Sequence, residues 1–284
     1  MKRTVFHVVA AGFLLSGTWL IQAQSEEPSH LLRIFREDIK SGKGAAHEKV
    51  ESAYVRAFSK SGYPGYLAWE NLTGASQAWF VERHDSYESI GKAMQLAEAE
   101  PLKSTLDVLD AQDGELRTGE RGMVAAYQPD MSYLPVPSNL AKVRFVSVNI
   151  VQVRLGHAAD YTEVRKMVNA AYAKAGQKQR RVVYSVVSGM PAGTYLILSE
   201  MDSLKALDPP PSAMSMLDAF GADKLERYNK LQSDIIVSSE STMFAVNPKM
   251  SNPPKEYIAA DPDFWAPKPK PAAAKPTPKP AGQQ

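Results

Sequence analysis

The 284-residue sequence contains no cysteine, and this absence excludes several kinds of site. Without thiols the chain cannot form a disulfide, a cysteine-ligated zinc or iron–sulfur centre, or a cysteine nucleophile. Its fold must therefore be stabilised by a hydrophobic core, which a chain of this length can build.

The chain also has little net charge, formally +2, with 33 Lys and Arg against 31 Asp and Glu. Nucleic-acid binding depends on clustered positive charge that neutralises phosphates, so we expect no nucleic-acid partner. Gly-x-Ser-x-Gly, Walker A and Gly-x-Gly-x-x-Gly motifs are missing as well. Serine-triad, phosphate-loop and dinucleotide chemistry therefore have no support.

Residues 1–23 have the pattern of a secretory signal peptide. Basic Lys2 and Arg3 precede a mostly apolar stretch at residues 5–21, and Ala23 is a small residue suited to cleavage. No later run of about 20 apolar residues occurs, so we expect no transmembrane span after cleavage. The sequence predicts a periplasmic or secreted bacterial protein.

An internal repeat with an offset of 114 residues organises the rest of the chain. Two sets of residues share the spacing i, i+3, i+4, i+7, i+8, which is typical of the buried face of a helix. Gly62 and Gly176 follow the two helices at the same offset. The two sets are Val50, Ala53, Tyr54, Ala57 and Phe58, and Val164, Met167, Val168, Ala171 and Tyr172.

Strand-like runs surround both helices in the same order, and Asp85-Ser86 and Asp202-Ser203 begin a second helical region in each half. Each half therefore predicts a ferredoxin-like β-α-β-β-α-β unit. The predicted boundaries are repeat 1 at residues 29–134, a linker at 135–139, repeat 2 at 140–254 and a Pro/Lys/Ala-rich disordered tail at 255–284. The predicted strands lie at residues 31–40, 66–71 and 78–82, and at 143–155, 182–187 and 194–199.

The first half contains, in order, a strand, a Lys-x-Gly-Lys turn at residues 40–43, a helix and a hairpin that ends at Asp85-Ser86-Tyr87. This order of elements resembles the dimeric α+β barrel superfamily. NIPSNAP-like proteins and antibiotic-biosynthesis monooxygenases belong to it. The resemblance implies an α+β fold in which two ferredoxin-like units pair their antiparallel sheets into a barrel, with the helices outside. Both units would lie in this one chain as an intrachain pseudo-dimer, so we expect a monomer.

Alternation along the strands predicts which residues line such a barrel. Val146, Val148 and Ile150 are uniformly apolar and are expected to face the helices, which turns their polar neighbours inward. The predicted ligand-binding residues are Arg33, Glu37, Ser147 and Asn149 inside the barrel, together with Trp69, Trp79 and Tyr195 on the hairpin strands. The alternatives are that Arg33 and Glu37 form an ion pair with a structural role only, and that the three aromatic side chains belong to the core.

Histidines and carboxylates give little sign of a metal site. None of His30, His47, His84 and His157 lies in a His-x-x-x-His pattern, so we predict no metal, and we expect His47 and His157 on the surface. Haem needs only one axial histidine, for which His84 at a strand end is the candidate. The acidic run from Asp107 to Glu115 lacks the ligand order of a calcium loop and is interpreted as a solvated loop.

These observations predict a small-ligand-binding α+β barrel. One alternative is a cofactor-independent or haem-dependent monooxygenase-like enzyme, which the superfamily resemblance implies. The other is a scaffold whose tail contacts anionic polymers of the cell envelope, because residues 266–284 contain six prolines and four lysines.

Overall fold

Eight antiparallel strands close into a barrel in the computed structural model, which describes residues 27–208 and 214–266. The predicted signal peptide, and residues 267–284 of the predicted tail, lie outside the described residues. None of the described helices is both long and apolar enough to cross a lipid bilayer.

The elements follow one another in the same order in both halves, except that the second helical region of each half is divided. The first half contains β1 (Leu31–Ile39), α1 (Gly44–Ser61), β2 (Tyr66–Asn71), β3 (Gln77–His84), α2 (Tyr87–Ala97), α3 (Leu102–Gly114) and β4 (Arg117–Tyr127). The second contains β5 (Phe145–Val153), α4 (Ala158–Lys174), β6 (Val182–Ser188), β7 (Thr194–Met201), α5 (Met216–Phe220), α6 (Ala222–Ile235) and β8 (Ile236–Asn252).

Local signals account for several of these boundaries. Ser86 caps α2 by accepting the backbone N–H of Ser89 at 3.2 Å. Gly62 ends α1 with a φ of 73°, a left-handed conformation that glycine adopts without strain. The start predicted at Asp202-Ser203 produces only a 3-10 turn, Leu204–Leu207, and the helices of that region begin later.

The strand order confirms the predicted pseudo-dimeric barrel. Around the barrel the order is β1-β3-β2-β8-β5-β7-β6-β4, with β4 pairing back to β1. Each half contributes four strands in the ferredoxin-like order, β4-β1-β3-β2 and β8-β5-β7-β6. Pairing of β2 with β8 and of β4 with β6 joins the halves. The predicted linker at residues 135–139 lies in the connection between β4 and β5.

Apolar side chains from all eight strands fill the barrel interior. A pocket among Leu32, Trp69, Val146 and their neighbours holds about 60 Å³ of free space, which is too little for an organic ligand. The strand residues of this core are Leu32, Ile34, Leu67, Trp69, Trp79, Val81, Met123, Ala125, Val146, Val148, Val182, Tyr184, Leu196, Leu198, Phe244 and Val246.

The predicted assignment of the two strand faces was therefore wrong. Val146 and Val148 point into the barrel, whereas Val151 packs with Tyr161 and Val164 of α4 on the outside. Phe35 likewise packs outside, with Val55 and Phe58 of α1. Because β-strand side chains alternate, Ser147, Asn149, Arg33 and Glu37 belong to the outer face. Both faces of this sheet are covered, so an apolar row does not by itself identify the helix side.

Ordered structure also continues beyond residue 254, where the tail was predicted to begin. Two short helices follow, α7 (Lys255–Ala260) and α8 (Pro262–Trp265). Tyr257 and Trp265 join the barrel core, and the Trp265 indole N–H donates to the carbonyl oxygen of Ala141 at 2.8 Å. These residues therefore belong to the folded core rather than to the tail.

Because the fold depends on this filled interior, truncating Trp79 should be costly. Trp79 is 1% exposed, and we expect Trp79→Ala to lower the free energy of unfolding by about 3–5 kcal/mol. Leu72, in the turn of the same hairpin, is 50% exposed, and Leu72→Ala should change it by less than about 0.5 kcal/mol. Urea unfolding measures both, and similar losses in the two variants would contradict the filled interior.

Candidate functional site

A cavity of about 360 Å³ lies between the outer face of β1–β4 and the helices α1–α3. A wider groove of about 490 Å³ runs beside residues 136–143 and 175–180, but no aromatic side chain is among its described lining residues. The smaller cavity combines aromatic rings with buried charged groups, so we regard it as the candidate site. Its aromatic wall consists of Phe35, Tyr54, Phe58, Tyr63, Tyr66 and Phe80.

Helix α1 places two ionisable side chains at the base of this cavity. His47, Glu51 and Tyr54 are the buried residues of α1, and their spacing i, i+4, i+7 keeps them on one face of the helix. This face meets the outer face of β1, which carries Glu37. The buried side of α1 therefore begins with a histidine and a glutamate and becomes aromatic only in its second half.

His47 lies at the centre of a buried charged cluster, which consists of Glu37, His47, Glu51 and Asp113. His47 Nε2 is 2.7 Å from Glu37 Oε2, 3.7 Å from Asp113 Oδ1 and 4.0 Å from Glu51 Oε1. All four residues are buried, and His47 and Asp113 are each 1% exposed. The four ligand-type atoms lie within 4.8 Å of one another.

Arg117 of β4 is the cation that faces this cluster. Its Nη1 donates to Glu37 Oε1 at 2.8 Å, its Nε lies 2.9 Å from Asp113 Oδ2, and it also contacts Glu120 at the cavity rim. Burial acts to lower the pKa of Arg117, but the carboxylates of Glu37, Glu120 and Asp113 outweigh it and raise that pKa above its usual value. One arginine thus serves three carboxylates.

The single positive charge of Arg117 does not neutralise all the carboxylates of the cluster, and two of them have raised pKa values. Burial, followed by the neighbouring Glu37 carboxylate, raises the pKa of Asp113 to about 6. Burial, followed by Glu37 and Asp113, raises the pKa of Glu51 well above its usual range. Both shifts have the same cause, which is negative charge removed from water without enough positive charge beside it.

A second network on the cavity wall is fully paired. Glu82 accepts the Tyr63 hydroxyl at 2.7 Å and Arg33 Nη1 at 3.4 Å, and its Oε2 lies 3.1 Å from His84 Nε2. Arg33 also lies over the Phe35 ring, 4.5 Å from its centroid. Burial, and then the Glu82 carboxylate, raises the pKa of the Tyr63 phenol above its ordinary value. These contacts hold the polar groups of this wall in place.

The structure brings Arg33 and Glu37 to one cavity, although outside the barrel, and they do not pair with each other. Arg33 pairs with Glu82, and Glu37 with His47 and Arg117. The other predicted ligand-binding residues lie elsewhere. Trp69 and Trp79 belong to the filled interior, Tyr195 packs on Tyr161 under α4, and Ser147 and Asn149 lie on the outer face of β5.

Sequence reasoning missed most of the cluster. The expectation that His47 is exposed was wrong, because it lies on the face of α1 that packs against the sheet. The spacing His47-x-x-x-Glu51 was the available signal, since residues four apart share a helix face. The acidic run is helix α3 rather than a solvated loop, and it buries Asp113.

His84, the candidate axial ligand, is not placed to hold a haem. His84 Nε2 lies 3.1 Å from Glu82 Oε2 and its Nδ1 lies 3.1 Å from Ser89 Oγ, so neither ring nitrogen is available to an iron. An axial bond from His84 would require one of these contacts to break.

The cluster is confined to the first half. β1 and β5 begin 114 residues apart, as do α1 and α4, so the repeat offset relates elements directly. The positions that correspond to Glu37, His47 and Glu51 are occupied by Val151, Tyr161 and Arg165, all of them buried. The same fold therefore forms with uncharged residues at the first two positions.

Replacing Glu51 should stabilise the metal-free protein in a pH-dependent way. Folded Glu51 keeps its proton to a higher pH than the unfolded chain does, so stability falls as pH rises above the ordinary range of a glutamate. In EDTA-containing buffer at pH 7.5 we expect Glu51→Gln to raise the free energy of unfolding by at least about 1 kcal/mol. The difference should narrow towards pH 5, because the unfolded chain also begins to bind the proton there. Urea unfolding at both pH values measures it, and a difference independent of pH would contradict the interpretation.

No protein-family model matches this chain, and no curated protein matches it either. Solved structures do resemble it. An anthrone oxidase-like protein has a TM-score of 0.51 and 15% identity, with 78% of this chain and 92% of that chain covered. A chlorite dismutase from Candidatus Nitrospira defluvii, in complex with imidazole, has a TM-score of 0.45 and 10% identity, with 82% and 95% covered.

At this level of identity the likeness concerns the fold alone. Four points of the sequence analysis stay predictions. They are export, the role of the tail, the NIPSNAP-like resemblance and the monooxygenase-like alternative. The architecture is a closed eight-stranded α+β barrel formed by two halves of a single chain, and the anthrone oxidase-like protein resembles it in fold.

Proposed function

We propose that this chain is a small-ligand-binding α+β barrel whose ligand occupies the cavity between β1–β4 and α1–α3. The observation that carries the proposal is an aromatic wall facing fixed charged groups within about 360 Å³. Ligand pockets typically combine apolar walls with a few positioned polar groups in volumes of about 300–1,000 Å³. The filled barrel interior offers no comparable space.

The charges around the cavity favour one class of ligand. Five carboxylates line it, from Glu37, Glu51, Glu82, Asp110 and Glu120, against two arginines. Both arginines already contact carboxylates, so the cavity retains an excess of negative charge. Aromatic ring faces also attract cations. We therefore propose a small aromatic molecule that carries a positive charge or several hydrogen-bond donors.

A ligand-observed NMR screen of small aromatic compounds tests this proposal, with tryptamine as the cationic probe and indole-3-acetate as an anionic probe of similar shape. We expect tryptamine-like cations to bind and anions to be rejected. Ala97 lines the cavity from α2, so Ala97→Trp should fill the space and weaken binding at least about tenfold, which corresponds to about 1.4 kcal/mol.

Ala99 is exposed, two residues further along the chain, and provides the matched control. Ala99→Trp adds the same ring outside the cavity and should leave binding unchanged. Compounds that bind wild type and Ala97→Trp equally, or a preference for the anions, would count against the proposed site.

We also propose that the protein is exported to the periplasm or secreted, on the basis of the signal-like pattern of residues 1–23. When the full chain is expressed in a bacterium, mass spectrometry of the periplasmic fraction should detect a mature chain that lacks about 23 residues. A chain that retains Lys2 and Arg3 and stays in the cytoplasm would contradict export.

A further inference from the structure

We propose that Glu37, His47, Glu51 and Asp113 form a binding site for one divalent transition-metal ion at the base of the cavity. The site adjoins the proposed organic-ligand cavity but does not depend on it. It would give the first half of the barrel a chemistry that the second half lacks.

The geometry of the four side chains is close to what such an ion requires. Bonds of about 2.1 Å from zinc to nitrogen and oxygen place ligand atoms roughly 3 to 4.2 Å apart. His47 Nε2 lies 3.7 Å from Asp113 Oδ1 and 4.0 Å from Glu51 Oε1. Glu37 Oε2 lies only 2.7 Å from His47 Nε2, since these two atoms share a hydrogen bond. Small rotations would open that contact around an ion.

A buried carboxylate oxygen without a hydrogen-bond donor is a second, independent observation in favour of a metal ion. Asp113 is 1% exposed, and its Oδ1 is buried without a hydrogen-bond partner while lying 3.7 Å from His47 Nε2. A buried carboxylate oxygen without a donor carries a full desolvation penalty. Glu51 Oε1 is also beyond hydrogen-bonding distance of His47. Both oxygens border the space that an ion would occupy.

Charge balance points the same way. Glu37, Glu51 and Asp113 bring three negative charges when ionised, and Arg117 brings one positive charge. Buried charges are stable only when they are paired or coordinate a metal. A divalent cation supplies the two positive charges that are missing.

The donor set selects the class of ion. One imidazole with three carboxylates suits Mn²⁺, Fe²⁺ or Zn²⁺, which accept mixed nitrogen and oxygen ligands. Calcium instead takes six to eight oxygen ligands, and Mg²⁺ keeps several waters. We therefore infer a first-row transition ion rather than an alkaline-earth ion.

The second half indicates that the fold does not need this cluster. Val151 and Tyr161 occupy the positions of Glu37 and His47 there and pack in an apolar group with Val164 and Ile197. Apolar packing at these positions avoids the cost of burying charge. A cluster that costs stability and is confined to one half is typical of a functional site.

An ion can reach the cluster through the cavity. Glu37 and Glu51 line the cavity, with His47 and Asp113 buried behind them, and the Glu120 side chain is 44% exposed at the rim. The site therefore combines a solvent path with a buried ligand set, as a metal site requires.

Isothermal titration of the tag-free, EDTA-stripped chain with MnCl₂ and with ZnSO₄ tests the proposal. We expect one ion per chain, with CaCl₂ binding at least about tenfold more weakly. Glu51→Gln and Asp113→Asn should each weaken binding of Mn²⁺ at least about tenfold, since each removes one of four ligands. Added Mn²⁺ should raise the melting temperature of the wild type more than that of Glu51→Gln.

Glu115→Gln is the matched control, because Glu115 follows α3 directly and is exposed, and it neither lines the cavity nor belongs to the cluster. It should bind Mn²⁺ as wild type does. Since Glu51→Gln is expected to be at least as stable as wild type in EDTA, its loss of binding could not be attributed to unfolding.

Absence of Mn²⁺ and Zn²⁺ binding to wild type would overturn the metal site, as would undiminished binding in the Glu51→Gln/Asp113→Asn double variant. Equal affinity for Ca²⁺ would also overturn it. Tryptamine binding to the EDTA-treated protein is a separate measurement, so failure of the metal site and failure of the organic-ligand site can be distinguished.

Discussion

Hydrogen bonding between β2 and β8 and between β4 and β6 closes the sheet, and the rest of the architecture depends on this closure. Each half alone would expose two strand edges and one apolar face. When the four strands of one half meet the four of the other, the edges pair and the two apolar faces become a single interior. That interior is filled by large side chains such as Trp79 and Phe244, so ionisable groups are left to the outer face.

The two halves share an architecture but differ in the chemistry under their first helices. In the second half, Tyr161 of α4 packs against Tyr195, with ring centroids 4.6 Å apart and the rings tilted by 43°, and Val151 joins the same apolar group. In the first half, α1 itself contributes a histidine and a carboxylate to the same place, and β1 and α3 each add one more carboxylate. Proteins accept such costs mainly at functional sites, and an apolar interior of this size can offset them.

Two polar networks border the same cavity, and they differ in whether their charged groups all have partners. Glu82 contacts Tyr63, Arg33 and His84, and these partners satisfy it. The cluster around His47 has one arginine for three carboxylates, and Asp113 keeps a buried oxygen without a donor. The first network positions the wall of the cavity. The second requires positive charge from elsewhere, either protons or a cation.

Much of the fold could be predicted from the sequence, because its signals are local or periodic. The strand at Tyr66–Asn71, the cap at Ser86 and the glycine that ends α1 each depend on neighbouring residues. The site could be predicted only in part. Arg33 and Glu37 were identified, but by an argument that placed them on the wrong side of the sheet, since alternation defines two faces without saying which one is enclosed.

The sequence by itself thus determined the order of the strands and main helices in each half, and its resemblance to a known superfamily implied that the two halves pair. Only the tertiary structure decided what the site contains. Asp113 and Arg117 meet Glu37 and His47 because α3 packs against α1 and because β4 pairs with β1, contacts between segments about 65 to 80 residues apart in the chain. Such contacts arise from packing and strand register, which no local pattern encodes.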